Sequence, residues 1–342
     1  MKNVKEKLSM LIRIVVSFGL LGFLFWKVRG DIGNVVSIVM KCDVRYIILG
    51  VIFLVINVSL LSNRLKIIFG GESIKIRFKN TLQLTLLGYF FNNFMPTAVG
   101  GDVVKAYYAG RMAQKKIQAY ASVLMDRFIG LYTYLVVAAV ALMVDDGKFG
   151  FKMVRPVVYV LVFVGFLGLI VVTNRVVAKK LERFFAGIKL FSLGEHLNEA
   201  YKIAHDYRNR KGVVLRAFIV SLVSQGVYFS IVYMFFKALG TEVSLGSIFL
   251  IMPVVTFISM IPSLGGLGVR EMAIVTFFTP MAGKEVSFAV SILVLFGLLF
   301  VSLFGGLVYL FWSVKGVPVK KRTDLTTENI EEVKKQREKS GA

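Results

Sequence analysis

Long, continuous runs of apolar residues divide the chain, without the alternation of apolar and polar residues that a half-buried strand requires. Runs of this length can cross a hydrocarbon core of about 30 Å as α-helices, which rise about 1.5 Å per residue. A membrane β-barrel would instead show short alternating segments. The pattern predicts an all-α polytopic membrane protein with about six full transmembrane helices, at residues 8–28, 44–69, 117–144, 156–173, 213–236 and 286–313.

Two further apolar segments, 78–111 and 244–280, are each interrupted by proline and glycine. In both interruptions an apolar residue, a proline and a hydroxyl residue come before a pair of glycines and a cation. Such paired interruptions are typical of transporters that are built from inverted repeats around a site near the membrane midplane. We therefore expect two re-entrant helical hairpins that are related as an inverted repeat. The matching residues are Met95, Pro96, Thr97, Gly100, Gly101, Asp102 and Lys105 in the first segment, and Ile261, Pro262, Ser263, Gly265, Gly266, Gly268, Arg270 and Glu271 in the second.

The composition excludes a soluble enzyme. Of the 342 residues, 56% are hydrophobic and only 18% are charged, whereas soluble domains average about 25% charged residues. The 42 Lys and Arg residues exceed the 20 Asp and Glu residues, which gives a formal net charge of +22. Because this excess lies in loops and tails, we interpret it as attraction to an anionic lipid surface and not as a nucleic-acid site. The single cysteine and two histidines lead us to expect neither a metal nor a cofactor.

The positions of the basic residues predict the topology. Applied to them, the positive-inside rule places both termini in the cytosol. The polar connections 64–79 and 174–211 are then cytosolic, and the two hairpins enter the cell membrane from opposite faces. Apolar residues at helical spacing predict that the 174–211 connection forms amphipathic helices on the membrane surface. The predicted domains are a membrane domain, 1–313, and a charged cytosolic tail, 314–342.

Several charged residues lie within apolar segments, where a charge near the bilayer centre costs about 2.5–3.5 kcal/mol. Asp102 and Lys105 are three positions apart and therefore share one helix face. Arg270 and Glu271 are adjacent and point about 100° apart, so we expect one of them to find its partner elsewhere. This predicts that Lys105 or Arg270 neutralises Asp102 or Glu271 of the opposite hairpin. Substrate contact and purely structural ion pairing both remain open for the six residues Asp102, Lys105, Asp126, Arg127, Arg270 and Glu271.

The glycines and prolines of the two interruptions suggest how a lipid headgroup would be held. A half-helix that begins after Pro96 or Pro262 points free N–H groups and the positive end of its dipole at an anion. Glycine lets the backbone approach a phosphate closely, although close helix packing also uses glycine. For most buried amide side chains we expect hydrogen bonds between helices. The predicted substrate-binding residues are Asn93, Pro96, Gly100, Gly101, Asp102, Lys105, Asp126, Arg127, Pro262, Gly265, Gly266, Gly268, Arg270 and Glu271.

Three segments resemble a known family: Asn92-Asn93-Phe94-Met95-Pro96 with Gly100-Gly101-Asp102, ASVLMDRFIG at 121–130, and PSLGGLGVRE at 262–271. They resemble the flippase-like membrane region of lysylphosphatidylglycerol synthases, the membrane half of the multiple peptide resistance factor, over about residues 8–313. The resemblance implies movement of an aminoacylated phospholipid or a polyprenyl-linked glycolipid between leaflets. Since no synthase domain follows residue 313, it does not imply synthase activity.

Two other classes of function stay open at this stage. The first is a non-transporting membrane module that recruits or regulates a lipid- or glycan-modifying enzyme. The second and more remote class is an intramembrane aspartyl enzyme that uses Asp102 and Asp126, although Val99 departs from its motif and Arg127 would favour an ionised Asp126. The expected ligand is a membrane lipid, and a homodimer or a partner enzyme remains open. No ATP-binding motif is present, so active flipping would draw on an ion gradient.

Overall fold

The computed structural model describes residues 32–95, 100–144, 210–260 and 266–317, with isolated positions between 19 and 26 and between 156 and 165. Within these ranges the chain is helical and contains no strand. The predicted 174–211 connection, nearly all of the predicted tail and most of the predicted spans 8–28 and 156–173 lie outside the described residues.

The described residues form nine helices, which we number in chain order. They are α1 Ile32–Met40, α2 Val44–Gly71, α3 Phe78–Phe94, α4 Gly100–Ala113, α5 Lys116–Val144, α6 Lys211–Ala238, α7 Leu245–Ile258, α8 Val269–Ala282 and α9 Lys284–Lys315.

Four of these helices are long and apolar enough to cross a membrane: α2, α5, α6 and α9. They coincide with four of the predicted spans and confirm the membrane class. In contrast, α3 has 17 residues and α4, α7 and α8 have 14 each. At about 1.5 Å per residue, each of these four is shorter than a hydrocarbon core of about 30 Å.

The order of helix lengths occurs twice along the chain. From α2 to α5 the helices have 28, 17, 14 and 29 residues, and from α6 to α9 they have 28, 14, 14 and 32. The packing is also reciprocal, because α3 packs on α9 while α7 packs on α5. The two long helices α2 and α6 pack against each other and form the centre of the molecule.

Helices α2 and α6 run antiparallel, and polar contacts join them along their length. The residue before α2 contacts the end of α6, the two midpoints are hydrogen-bonded, and the residue after α2 pairs with the one before α6. These contacts are Asp43 N–H to the Ala238 carbonyl at 2.8 Å, Asn57 Nδ2 to the Ser224 carbonyl at 2.6 Å, and Arg210 Nη1 to Glu72 Oε1 at 3.0 Å.

The largest apolar core lies around this central pair. Side chains of α2 and α6 pack there with those of α7, α8 and α9. Its fully buried members include Phe229, Phe236, Ile248 and Phe278. This core holds the two halves of the molecule together, so that polar side chains on α2, α4 and α5 take fixed positions beside it.

Candidate functional site

The candidate site begins near the N-terminus of α4, where an acid and a base lie one helical turn apart. Asp102 and Lys105 face the same side, and Lys105 Nζ lies 3.1 Å from Asp102 Oδ1. Both residues are buried, with 7% and 8% of their surface exposed. The predicted shared face is therefore present, and it points towards α2 and α5.

Helices α5 and α2 complete a cluster of five charged side chains. Asp126 of α5 lies 2.7 Å from Arg64 Nε of α2 and 3.8 Å from Lys105 Nζ. Arg127 Nη1 lies 3.4 Å from Asp102 Oδ2. A fifth contact comes from α6, because Arg64 also donates a hydrogen bond to Ser221 Oγ at 2.6 Å. Four helices thus fix the positions of these charges.

The charged side chains line a cavity of about 210 Å³. Three cations and two carboxylates face it, so its formal charge is positive by one. One carboxylate oxygen, Asp102 Oδ2, is buried and makes no hydrogen bond in the described part of the chain, although the Arg127 guanidinium lies 3.4 Å away. A buried oxygen that makes no hydrogen bond is costly and suggests a ligand or water. The described residues that line the cavity are Leu61, Arg64, Thr85, Gly88, Tyr89, Asn92, Asp102, Lys105, Asp126, Arg127, Gly130, Leu131 and Tyr134.

Sequence reasoning did not include Arg64 among the candidate site residues. The predicted span 44–69 contained it near its end, and the structure buries it within α2. The signal was present, since a cation inside a long apolar helix is a functional candidate by default. Because Arg64 also begins the basic connection 64–79, its charge was used only to predict the topology.

In the first interruption, Gly101 lies where α3 and α4 pack closely. A Cβ atom on Gly101 would lie 2.1 Å from the backbone oxygen of Gly88, so α3 and α4 touch at this point. Asn92 Oδ1 accepts a hydrogen bond from the Gly101 N–H at 2.8 Å. Gly100 is the first residue of α4. Pro96 lies outside the described residues, as do Pro262 and Gly265 of the second interruption.

Asn93, a predicted substrate-binding residue, does not line the charged cavity. It points to α9, where its amide donates to Ser302 Oγ at 2.5 Å, because neighbouring helix positions face different directions. The expected role of buried amides in joining helices is confirmed here, for Asn57 and Ser224, and for Gln225, whose amide hydrogen-bonds Thr133 Oγ1.

The second interruption forms a separate and self-contained ion pair. Arg270 Nη2 and Nε lie 2.6 and 3.0 Å from Glu271 Oε1. The other oxygen, Oε2, accepts the Gly268 N–H at 2.6 Å. Glu271 is fully buried. Gly266 and Gly268 have φ angles of 81° and 82°, a region that favours glycine, so they form the turn that leads into α8.

This geometry overturns two predictions. The adjacent side chains Arg270 and Glu271 do meet, since the long Arg side chain reaches back to its neighbour. The predicted pairing across the hairpins is wrong, because Lys105 pairs with Asp102 and Asp126, while Arg270 pairs with Glu271. The charged side chains of each interruption pair within their own half of the molecule.

Two tyrosines, Tyr89 and Tyr134, line the cavity. Phenol hydroxyls both donate and accept hydrogen bonds, so they add polar surface beside the charged cluster. Within the described ranges, no three His, Cys, Asp or Glu side chains come together as metal ligands.

These features define a multi-pass helical membrane protein with a buried, positively charged cavity. The matched family is described as the lysylphosphatidylglycerol synthase TM region, whose model covers residues 10–319, and the chain belongs to this family. Similar proteins include a UPF0104 membrane protein of Methanothermobacter thermautotrophicus, 26% identical over 72% of this chain and 79% of that protein. Another is a UPF0104 membrane protein of Pyrococcus horikoshii, 24% identical over 82% of this chain and 90% of that protein.

Proposed function

We propose that this protein is a lipid flippase that moves a phospholipid or lipid-linked glycan between the leaflets of the cell membrane, with both termini in the cytosol. The observation that carries the proposal is the buried cavity with an excess positive charge. A phosphate in this cavity would balance that charge. Hydrogen bonds between ionised groups are strong, and a low local dielectric strengthens them further.

The residues of the cluster have distinct proposed roles. Lys105 and Arg127 bind the phosphate, while Arg64 stays paired with Asp126 and keeps the cavity in shape. Asp102 Oδ2, which is buried without a hydrogen bond, accepts a hydrogen bond from a hydroxyl or ammonium group of the headgroup, or takes up a proton. The protein acts as a transporter and not as an enzyme, and none of these roles requires a cofactor.

The second part of the proposal is that α2–α5 and α6–α9 are inverted repeats. The repeated order of helix lengths and the reciprocal packing support it. Asn57 is the fourteenth residue of α2 and Ser224 the fourteenth of α6, counted from Val44 and Lys211. Equivalent positions in two antiparallel helices can touch only where a two-fold axis passes between them. Such an axis, perpendicular to both helices, relates halves of opposite orientation in the membrane.

The short helices fit re-entrant hairpins. In the proposed repeat α3 corresponds to α7 and α4 to α8. Helix α3 packs on α4, and α7 packs on α8. Asp102 and Glu271 are each the third residue of the second helix. The hairpins would then bring two acidic residues into the membrane from opposite faces, one in the charged cavity and one at the turn before α8.

Reconstitution in liposomes tests the function. The purified chain is inserted into vesicles with fluorescent phosphatidylglycerol, and exchange between leaflets is followed by quenching of the outer leaflet. We expect Lys105→Gln to slow exchange by at least about tenfold, which corresponds to roughly 1.4 kcal/mol, because the cavity loses its excess charge. The matched control is Lys115→Gln, since Lys115 is exposed and contacts only the Ser73 carbonyl among its described partners.

Two outcomes would count against the proposal. If a folded Lys105→Gln protein exchanges lipid at the normal rate, the charged cluster stabilises the fold and does not bind the lipid. The unmodified protein would be tested with phosphatidylglycerol, an aminoacylated phospholipid and a polyprenyl-linked glycan. If it exchanges none of them, the better conclusion is that it is a non-transporting membrane module that recruits a partner enzyme.

A further inference from the structure

An apolar groove of about 950 Å³ lies beside the charged cavity, on the far side of α3. Residues of α2, α3, α6 and α9 line it, and those that the structure describes are aliphatic, aromatic or glycine. Its floor reaches buried side chains, with Leu54 8% and Phe235 6% exposed. Its outer wall on α9 includes the exposed residues Phe296, Phe300 and Leu303. Among the described residues, the groove is therefore deep and open on its outer side.

The groove lies where the two halves of the molecule differ. In the proposed repeat, α2 and α9 correspond to α6 and α5. Helices α5 and α6 pack closely, with Gln225 hydrogen-bonded to Thr133 and the rings of Tyr134 and Phe229 6.2 Å apart. Helices α2 and α9 approach each other at Leu54 and Gly297, and beyond this floor they line the groove from its two sides.

Helix α3 separates the groove from the charged cavity. Gly88, Tyr89 and Asn92 line the cavity, whereas Phe90 and Phe94 line the groove. Asn92 and Phe94 are two positions apart and thus face nearly opposite directions on the helix. Since α3 ends at Phe94, Asn92 in the cavity and Phe94 in the groove both lie in the last turn of this helix.

We infer that the groove between α2 and α9 binds the hydrocarbon chains of the lipid whose headgroup enters the charged cavity, an inference that rests on the proposed function. A molecule that matches both spaces must carry a charged group and an extended apolar part, joined by a link that spans about 10 Å, the width of a helix. A soluble anion would use the cavity alone. A membrane phospholipid matches both, with its glycerol region over the end of α3.

The length of the groove agrees with this occupant. Its α9 wall runs from Leu293 to Leu310, which is 17 positions and about 26 Å of helix. That is close to the thickness of a hydrocarbon core, about 30 Å. The chains can therefore stay in contact with apolar surface while the headgroup moves through the protein.

Photocrosslinking in the reconstituted full chain tests the inference. One probe is phosphatidylglycerol with a diazirine in an acyl chain, and the other is diacylglycerol with the same chain. We expect the phosphatidylglycerol probe to label α9 around Phe300 saturably and several-fold more strongly than the diacylglycerol probe. Gly297→Phe should lower this labelling at least about fivefold, because a ring at this position fills the groove floor. Gly226→Phe is the matched control, since a Cβ there meets no atom within 4 Å.

A second variant tests the inference independently, in case Gly297→Phe does not fold. Phe300→Trp, in a protein whose Trp26 and Trp312 are replaced by Phe, places a single fluorophore at the groove wall with little change in shape. Its emission should be quenched at lower mole fractions of brominated phosphatidylglycerol than of brominated diacylglycerol. Labelling that rises linearly and equally with both probes, or equal quenching by both lipids, would show ordinary surrounding lipid and overturn the inference.

The same vesicles distinguish this inference from the proposed function. Saturable labelling of the groove without any lipid exchange would retain the groove as a lipid site and refute transport. Lipid exchange without saturable labelling would retain transport and refute the groove. Exchange that persists in a folded Gly297→Phe protein would place the chains elsewhere.

Discussion

The N-termini of α4 and α8 place an acidic residue at the same helix position but use it differently. Asp102 leaves one buried oxygen without a hydrogen bond, beside a charged cavity. Glu271 has both oxygens occupied, one by Arg270 and one by the backbone of Gly268. The comparison teaches that a shared motif does not imply a shared role. Unsatisfied polar groups, and not the residue type, indicate where a ligand would bind.

The two regions also differ in where their partners come from. The α4 cluster draws cations from α2, α4 and α5, so its geometry depends on how several helices pack. The α8 pair involves adjacent residues and one turn, and it is complete within a single segment. A site assembled from several helices can change shape when those helices move, whereas the α8 turn moves as a unit.

The largest expected effect is on the stability of the folded protein when Glu271 or Asp102 is replaced by its amide. Glu271→Gln leaves Arg270 buried without an opposite charge, and breaking a buried pair in this way costs about 3–5 kcal/mol. Asp102→Asn should cost roughly 1–2 kcal/mol, because Lys105 still lies near Asp126 and Arg127, which loses its contact with Asp102, is partly exposed to solvent. Thermal unfolding in detergent micelles measures both. Equal losses, or a larger loss for Asp102→Asn, would remove the distinction between the two regions.

Hydropathy alone predicted much of the fold. The apolar runs at 44–69, 117–144, 213–236 and 286–313 match α2, α5, α6 and α9 to within about two residues at each end, because helix length in a membrane depends on local composition. The breaks near Pro96 and Pro262 also separated α3 from α4 and α7 from α8. Hydropathy does not predict which helices pack together, such as α3 and α9.

The candidate site was only partly predictable. Intramembrane charge pointed to Asp102, Lys105, Asp126 and Arg127, and the structure brings these four together. Spacing could not tell which carboxylate would pair with which cation, since that depends on contacts between distant segments. The partnership of Arg64 with Asp126, 62 positions apart, therefore escaped the sequence analysis, while Arg270 was assigned to the wrong partner.

A second prediction compares the glycines of the two regions. Gly101→Ala places a methyl group against the Gly88 carbonyl, and such overpacking costs about 1–3 kcal/mol. Gly266→Ala costs about 1–2 kcal/mol for a different reason, since a side chain at φ 81° is strained. Only the first change pushes α3 and α4 apart, so only it should weaken phosphatidylglycerol binding.

Melting temperatures and lipid titrations of the two variants provide the measurement for this comparison. Gly226→Ala is the control, because it adds a methyl group to α6 where no atom lies within 4 Å and should raise stability by up to about 1 kcal/mol. If Gly101→Ala is tolerated like Gly226→Ala, the contact between α3 and α4 is looser than the structure indicates.

The smallest effect is expected at an ion pair on the surface, the exposed counterpart of Arg270 and Glu271. Asp43 accepts the backbone N–H of Arg45 at 3.0 Å and lies 2.9 Å from its guanidinium. Hydrogen bonds from the Arg45 side chain and backbone hold the pKa of Asp43 below its ordinary value. The stability that this pair contributes is thus present above the ordinary pKa of Asp and is lost as the pH falls through the lowered value.

Arg45→Gln should therefore change the melting temperature only slightly at neutral pH, because water screens both charges. The difference from the unmodified protein should shrink as the pH falls below about 4, the ordinary pKa of Asp, and vanish below the lowered pKa, where Asp43 is protonated in both proteins. Melting curves between about pH 7 and pH 3 measure it. A loss as large as that of Glu271→Gln would mean that burial does not set the strength of these pairs, and the contrast between an exposed and a buried carboxylate would fail.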